Sequence, residues 1–234
     1  MRQVSPMPPI KPRYRPMGDR SILVELGDDV NLEVNRQVRY LYLSMKTRQM
    51  NGIVDLMPGY RSLLVVFDPL ALSSDTLNKR IADLVDTMDP DELPEPKTHR
   101  VPVVCGDAYG PDLNWVASYH HTTPEEIVNR LTETVYHIYM IGFMPGFAYM
   151  GELPENLVTP RRAVPRTAVP RGSLGIAEKQ AGIYPVKSPG GWQILGFTPV
   201  KLFDYSRHPP AMLSAGDRVQ FHSISREELS RWEP

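Results

Sequence analysis

Cysteine is nearly missing from this 234-residue chain: Cys105 stands alone. No intramolecular disulfide can form, which fits a reducing compartment and an expected cytoplasmic location. Charge of one sign is equally scarce. The 26 Lys and Arg against 27 Asp and Glu leave a formal net charge of −1, so nothing electrostatic draws the chain to nucleic acid or an anionic membrane. No apolar run approaches the ~18 residues of a membrane span, and the N-terminus has no signal-peptide core. Nucleotide cradles are missing too, since neither G-x-x-x-x-G-K-[ST] nor G-x-G-x-x-G occurs. RGSLG around Ser173 fails as a nucleophile elbow because Arg171 stands where the first glycine belongs.

Proline is what the chain has in excess, at 24 residues, roughly twice the usual ~5%. Hydrophobic and charged fractions of 41% and 23% are those of a globular protein with ample core. Residues 1–12 read as a flexible arm. Beyond it, SILVEL at 21–26 is a strand, and Val34, Val38, Leu41 and Met45 mark one helical face. GIVDLM and SLLVVF are strands flanking the turn at Pro58 and Gly59, and Ser74 is a good cap for a second helix through Met88. A further strand at Val101–Val104 would complete an α+β, ferredoxin-like βαββαβ domain over residues 13–96, or would open the next domain instead. The acidic, proline-bearing DPDELPEPK at 89–97 is the linker between them.

From residue 97 the pattern changes. Two short helices are expected, the first capped by Asp112 and the second by threonine with Pro124 in its first turn. Glu125 and Glu126 stand where a DNA-reading helix needs basic or amide side chains, which argues against a helix-turn-helix reader. Then come VYHIYMIGF, SLGIA, GIYPV, WQILGF, PVKLFD and DRVQF, short apolar runs broken by glycine and proline. Such punctuation means a barrel or a sandwich.

Chemistry is thin by residue type. Cys105 follows a β-run, where a lone cysteine is usually a small buried hydrophobe rather than a nucleophile. His120 and His121 are adjacent, so on a helix they diverge and make a poor metal pair. The basic cluster carries more: Arg161, Arg162, Arg166 and Arg171 sit among Pro160, Pro165 and Pro170. Prolines at that spacing hold the backbone extended and present guanidiniums suited to carboxylate or phosphate. Solvated loop arginines are the plain alternative. Downstream, SPGGW places Ser188 and two glycines before Trp192, while Gln180 and Tyr184 add neutral donors and acceptors. Ordinary turn chemistry explains these equally well. The result is a cationic, aromatic-lined surface with no complete catalytic set.

Three longer stretches, GFMPGFAYMGELP, TPRRAVPRTAVPRGSLGIA and QAGIYPVKSPGGWQILGFTP, closely resemble the family of the B-type 5-oxoprolinase subunits, which includes the kinase inhibitor KipI and allophanate hydrolase subunit 1. GDRSILVELG, PGYRSLLVVFDP and YGPDLNWVA extend the resemblance over nearly the whole chain. It implies a small α+β domain followed by a cyclophilin-like β-barrel over residues 97–234. It also implies partners: a C-like subunit with a related barrel and an A-like subunit, together opening 5-oxoproline to glutamate with ATP. No cofactor is expected on this chain alone, ATP being used by the complex, and no metal. By motif, the implied substrate- or partner-binding surface is Phe143, Pro145, Gly146, Phe147, Arg161, Arg166, Gln180, Tyr184, Ser188, Gly190 and Trp192. In that reading arginines hold an anion and the glycine turn offers backbone donors to an oxyanion. The alternatives within the family are inhibition of a sensor histidine kinase and carboxyl transfer in urea or allophanate metabolism. Two departures stand out: Glu178 and Lys179 replace a usual glycine pair, and Phe197 stands where the family has arginine.

Overall fold

A computed structural model describes residues 11–89 and 92–232. The expected arm at 1–12 lies outside those residues except for its last two positions. The chain divides into two compact units, one running to Glu95 and the other from Pro96. Among the described residues no helix is long and apolar enough to cross a membrane.

The first unit is built from β1 (Arg13–Pro16), β2 (Ser21–Glu25), α1 (Leu32–Thr47), β3 (Ile53–Pro58), β4 (Ser62–Phe67) and α2 (Ser74–Asp86). Its antiparallel sheet has the order β1-β2-β4-β3. Asn31 starts α1 by accepting the Val34 N–H at 2.9 Å, a cap worth about 1 kcal/mol. The helix then buries Val38, Leu41 and Met45 on Val24, Leu63 and Val65. Ser73, one residue before the expected cap, accepts the Thr76 N–H and starts α2.

The ferredoxin-like expectation needs correction. Val101–Val104 does not complete it but takes the alternative course and opens the second unit, inside β5 (Thr98–Cys105). The outer position beside β2 is taken from the other end of the chain by β1. RYRP carries a single inward apolar residue, Tyr14, so period-2 hydrophobicity does not reveal it. Besides its ladder with β2, ion pairs hold it: Arg13 and Arg15, with Arg61 from the turn between β3 and β4, surround the buried Glu25 carboxylate.

The second unit continues with α3 (Leu113–Tyr119), α4 (Pro124–Glu133), β6 (Val135–Ile141), β7 (Ala148–Gly151), β8 (Arg166–Val169), β9 (Ser173–Ala177), β10 (Gln180–Ile183), β11 (Ser188–Gly190), β12 (Gln193–Phe197), β13 (Arg218–Ser223) and α5 (Arg226–Ser230). Seven strands close a barrel in the order β10-β7-β6-β13-β5-β12-β9. Only β5 and β13 run parallel in it. PVKLFD at 199–204, expected as a strand, supplies just one bridge, Phe203 to Ala211. Leu174, Ile176, Leu195, Val219 and Phe221 fill the core together with Val116, Ile127 and Leu131 from α3 and α4.

One wall of this barrel has two buried faces. Leu174, Ile176, Ala181, Ile183 and Leu195 point to the main core, whereas Ala177, Tyr184, Trp192 and Ile194 join a second cluster with Phe147 and Val169. The separate two-stranded sheet of β8 and β11 contributes Val169 to that second layer. Glycine makes the layering possible. A Cβ on Gly182 would meet the Phe147 ring at 2.8 Å and the Trp192 ring at 2.9 Å, closer than packed carbon atoms sit.

Candidate functional site

The second cluster is where the motif residues gather. Phe147, 1% exposed, stands edge-on to Tyr149, Tyr184 and Trp192 at ring distances of 4.8, 5.4 and 5.5 Å. Edge-to-face pairs of this kind add about 0.5–1.5 kcal/mol each beyond burial. Phe143 continues the series outward, 5.9 Å from Phe147 and 69% exposed. Its backbone lies at φ +66°, a left-handed position unusual for a bulky residue. Pro145 is exposed beside it, and Gly146 at φ +79° lets the loop close on Phe203.

Gly190 has a specific reason to be glycine, since a Cβ there would overlap the Tyr184 hydroxyl. Burial pushes the Tyr184 pKa up, while the Trp192 N–H bonded to its oxygen and the nearby Arg161 and Arg166 pull it back. Tyr149 is likewise raised by burial and eased by Arg161. Both hydroxyls are therefore neutral at ordinary pH and stand near cationic groups.

Of the four arginines of the proline-rich stretch, Arg171 is exposed and the other three split into two sets, which corrects the expectation that all are presented for a ligand. Arg162 and Arg166 donate to one oxygen of Asp112 at 2.9 and 2.7 Å. The other oxygen accepts the Ile194 N–H at 2.7 Å, and the Asp112 side chain is 6% exposed. Asp112 makes no side-chain cap on α3, the role its position predicts. Its carboxylate is drawn instead to a buried backbone N–H and two guanidiniums, a stronger set of partners than one helix end. Arg166 is thereby committed to the fold. Arg161 is different: its side chain is 54% exposed and reaches only Glu178, with Nε at 3.3 Å from the carboxylate.

Gln180 is half-buried where β10 begins, opposite Ala177. Ser188 is half-buried in β11 opposite Val169, two residues from Gly190 opposite Arg166. An open cleft of about 420 Å³ runs alongside, lined by Trp115, Pro160, Arg161, Arg162, Val164 and Gln193. A larger one of about 540 Å³ in the first unit, between α1 and β3, has neither arginine nor acid paired to a base. A third, of about 500 Å³ and also in the first unit, is lined by Arg48, Arg80 and Asp83, but of these three only the 420 Å³ cleft includes a residue of the motif surface, Arg161.

Asp112, Tyr149 and the Glu178 contact were not singled out from sequence as site residues. No sequence signal marks Asp112, since it lies some fifty residues from the arginines it holds. Phe197, the second departure, packs against Tyr109 with ring centroids 5.5 Å apart and covers Gly172. Cys105 is half-buried, and its thiol pKa is pushed up to about 12 by desolvation, so it holds no thiolate at neutral pH. His120 bonds the buried Thr159 hydroxyl at 3.0 Å, and burial lowers its pKa. Among the described residues no cluster of His, Cys, Asp or Glu could hold a metal.

Residues 12–213, which include most of this barrel, match the family described as carboxyltransferase domain, subdomain C and D. The chain is 39% identical over 206 residues to the B-type 5-oxoprolinase subunit of Haemophilus influenzae, covering 88% of this chain and 95% of that one. The solved structure of TTHA0988 superposes with a TM-score of 0.77 at 32% identity, over 88% of this chain and 40% of its own. The urea amidolyase of Saccharomyces cerevisiae is 26% identical over 261 residues, which is 99% of this chain but 14% of that protein. The chain belongs to the family of B-type 5-oxoprolinase subunits.

Proposed function

We propose that this chain is the member of an ATP-dependent 5-oxoprolinase complex that does not itself bind ATP. Its site is completed by a C-like partner subunit, an A-like subunit couples the reaction to ATP, and the chain is inactive alone, in the cytoplasm. The reaction opens the cyclic amide of 5-oxoproline: the C–N bond breaks, water supplies OH to the carbonyl carbon and H to the nitrogen, and glutamate results. The observation that carries this reading is the near end-to-end similarity to a B-type 5-oxoprolinase subunit. The chemistry of the cleft agrees. Arg161 keeps capacity for a substrate carboxylate, and the neutral Tyr149 and Tyr184 lie within its electrostatic reach. Phe147 and Trp192 give those groups a rigid backing. The sequence carries neither phosphate-loop motif, which agrees with a share of the machinery on partners.

Co-expression with the neighbouring genes, purification of the complex and assay of ATP-dependent glutamate release from 5-oxoproline tests it. Glutamate release by the complex and none by the isolated chain is expected. A complete, stable complex without activity sinks the proposal. A second reading, half of a carboxyltransferase in urea or allophanate metabolism, is favoured by the name of the matched domain and by the urea amidolyase similarity. Biotin-dependent carboxyl transfer by the same complex distinguishes it.

A further inference from the structure

The hairpin joining β9 to β10 turns on two residues, Glu178 and Lys179, because Ala177 faces Gln180 across the ladder. Such turns demand left-handed backbone, and Glu178 adopts φ +53°. For a residue with a Cβ that costs on the order of 1 kcal/mol. Burial does not offset it, since the Glu178 side chain is 65% exposed. The backbone of the tip is fixed by the Glu178 N–H, which donates to the Thr159 carbonyl at 2.6 Å. Thr159 lies two residues before Arg161, so this bond brings the Glu178 carboxylate to the Arg161 guanidinium. The contact is a single one, through Nε. Among the described residues neither Nη of Arg161 carries a hydrogen bond, and no second acid pairs with it.

We propose that Glu178 is an internal carboxylate ligand of the Arg161 rim, which competes with substrates that carry a free carboxylate and weakens their capture by partly occupying the guanidinium. The inference rests on the binding role given to Arg161 above. An incoming carboxylate takes both arms of the fork in place of one bond, so it displaces Glu178. A neutral analogue gains nothing from the exchange. Exposed ion pairs contribute about 0.2–1 kcal/mol, so the internal ligand weakens carboxylate binding about 1.4- to 5-fold. Asp112 cannot serve in its place, being held by Arg162, Arg166 and the Ile194 N–H.

Tryptophan fluorescence of the full chain, titrated with 5-oxoproline and with its neutral carboxamide, measures this directly. Glu178→Gln is expected to bind 5-oxoproline about 1.5- to 5-fold tighter than wild type, with carboxamide affinity unchanged. In an Arg161→Gln background the gain is expected to vanish. Equal 5-oxoproline affinity in wild type and Glu178→Gln overturns the inference. So does an equal gain for the carboxamide, a gain that persists without Arg161, or binding by none of the chains. Turnover by the assembled complex is read separately. An inactive complex removes the proposed function and leaves the binding result standing, whereas an active complex whose 5-oxoproline KM ignores Glu178 removes this inference alone.

Discussion

Arg166 and Arg161 lie in the same proline-flanked stretch and look alike on paper, yet they sit at opposite ends of a division of labour. Arg166 joins Arg162 on a carboxylate that also accepts a buried backbone N–H, and its side chain is only 23% exposed. Arg161 meets one exposed acid through one nitrogen. The difference teaches that residue type and spacing identify a cationic loop but not its commitments. The acid that decides which arginine is structural lies some fifty residues upstream, at Asp112. If that division is real, substitutions around the Asp112 node act on stability, and substitutions at the rim act on ligands.

Trp192→Ala should produce the largest loss. Trp192 is 4% exposed and touches Phe147 and Tyr149 in a layer that the glycines of β9 and β10 are shaped to receive. Truncation of such a ring costs about 3–5 kcal/mol. Chemical denaturation should show a midpoint shift with little change in slope, so lost complex activity in this variant reports on folding as much as on the site. A loss below about 1 kcal/mol would mean the cluster is a surface rather than a core.

Asp112→Ala comes next, at about 2–4 kcal/mol. It leaves two partly buried guanidiniums and the Ile194 N–H without their acceptor. Arg166→Ala should lose less, because Arg162 still satisfies the carboxylate. Stability unchanged in Asp112→Ala, with activity abolished, would reverse the assignment and return Arg166 to the ligand side.

Arg161→Ala tests the other half of the comparison. Unfolding should shift by less than about 0.5 kcal/mol, as for ordinary surface changes. In the assembled complex kcat/KM for 5-oxoproline should fall about 10- to 100-fold, the worth of a charged hydrogen bond to a carboxylate. Full activity in this variant would move the substrate anion elsewhere.

Much of the architecture was legible because periodicity carries burial. SLLVVF and SLGIA coincide with β4 and β9, and the 4-3-4 spacing of α1 is its buried face. β1 escaped because an edge strand held by arginines on Glu25 has almost no hydrophobic signature. PVKLFD misled for the converse reason: apolar residues in a proline-flanked loop pack inward, Leu202 among them, without a ladder. The aromatic members of the site could be read as a group, since Phe147, Tyr184 and Trp192 fall in motifs that share one barrel wall. The ionic wiring could not, because a carboxylate's partners are set by three-dimensional proximity and not by spacing along the chain.

Glu178→Gly carries the smallest expected effect and the sharpest separation of fold from function at the rim. Glycine at φ +53° relieves strain on the order of 1 kcal/mol. Against this stand a more flexible unfolded chain, about 0.4–1 kcal/mol, and one lost exposed ion pair of about 0.2–1 kcal/mol. The terms nearly cancel, so the denaturation midpoint should move by no more than the equivalent of about 0.5 kcal/mol in either direction. The hairpin survives because its pairing runs through the Ala177–Gln180 and Ala181–Ile176 registers and the main-chain bond to Thr159, none of which needs the carboxylate. A loss above about 1 kcal/mol would make Glu178 a fold-holding partner like Asp112, and the contrast between the two ends of this loop would disappear.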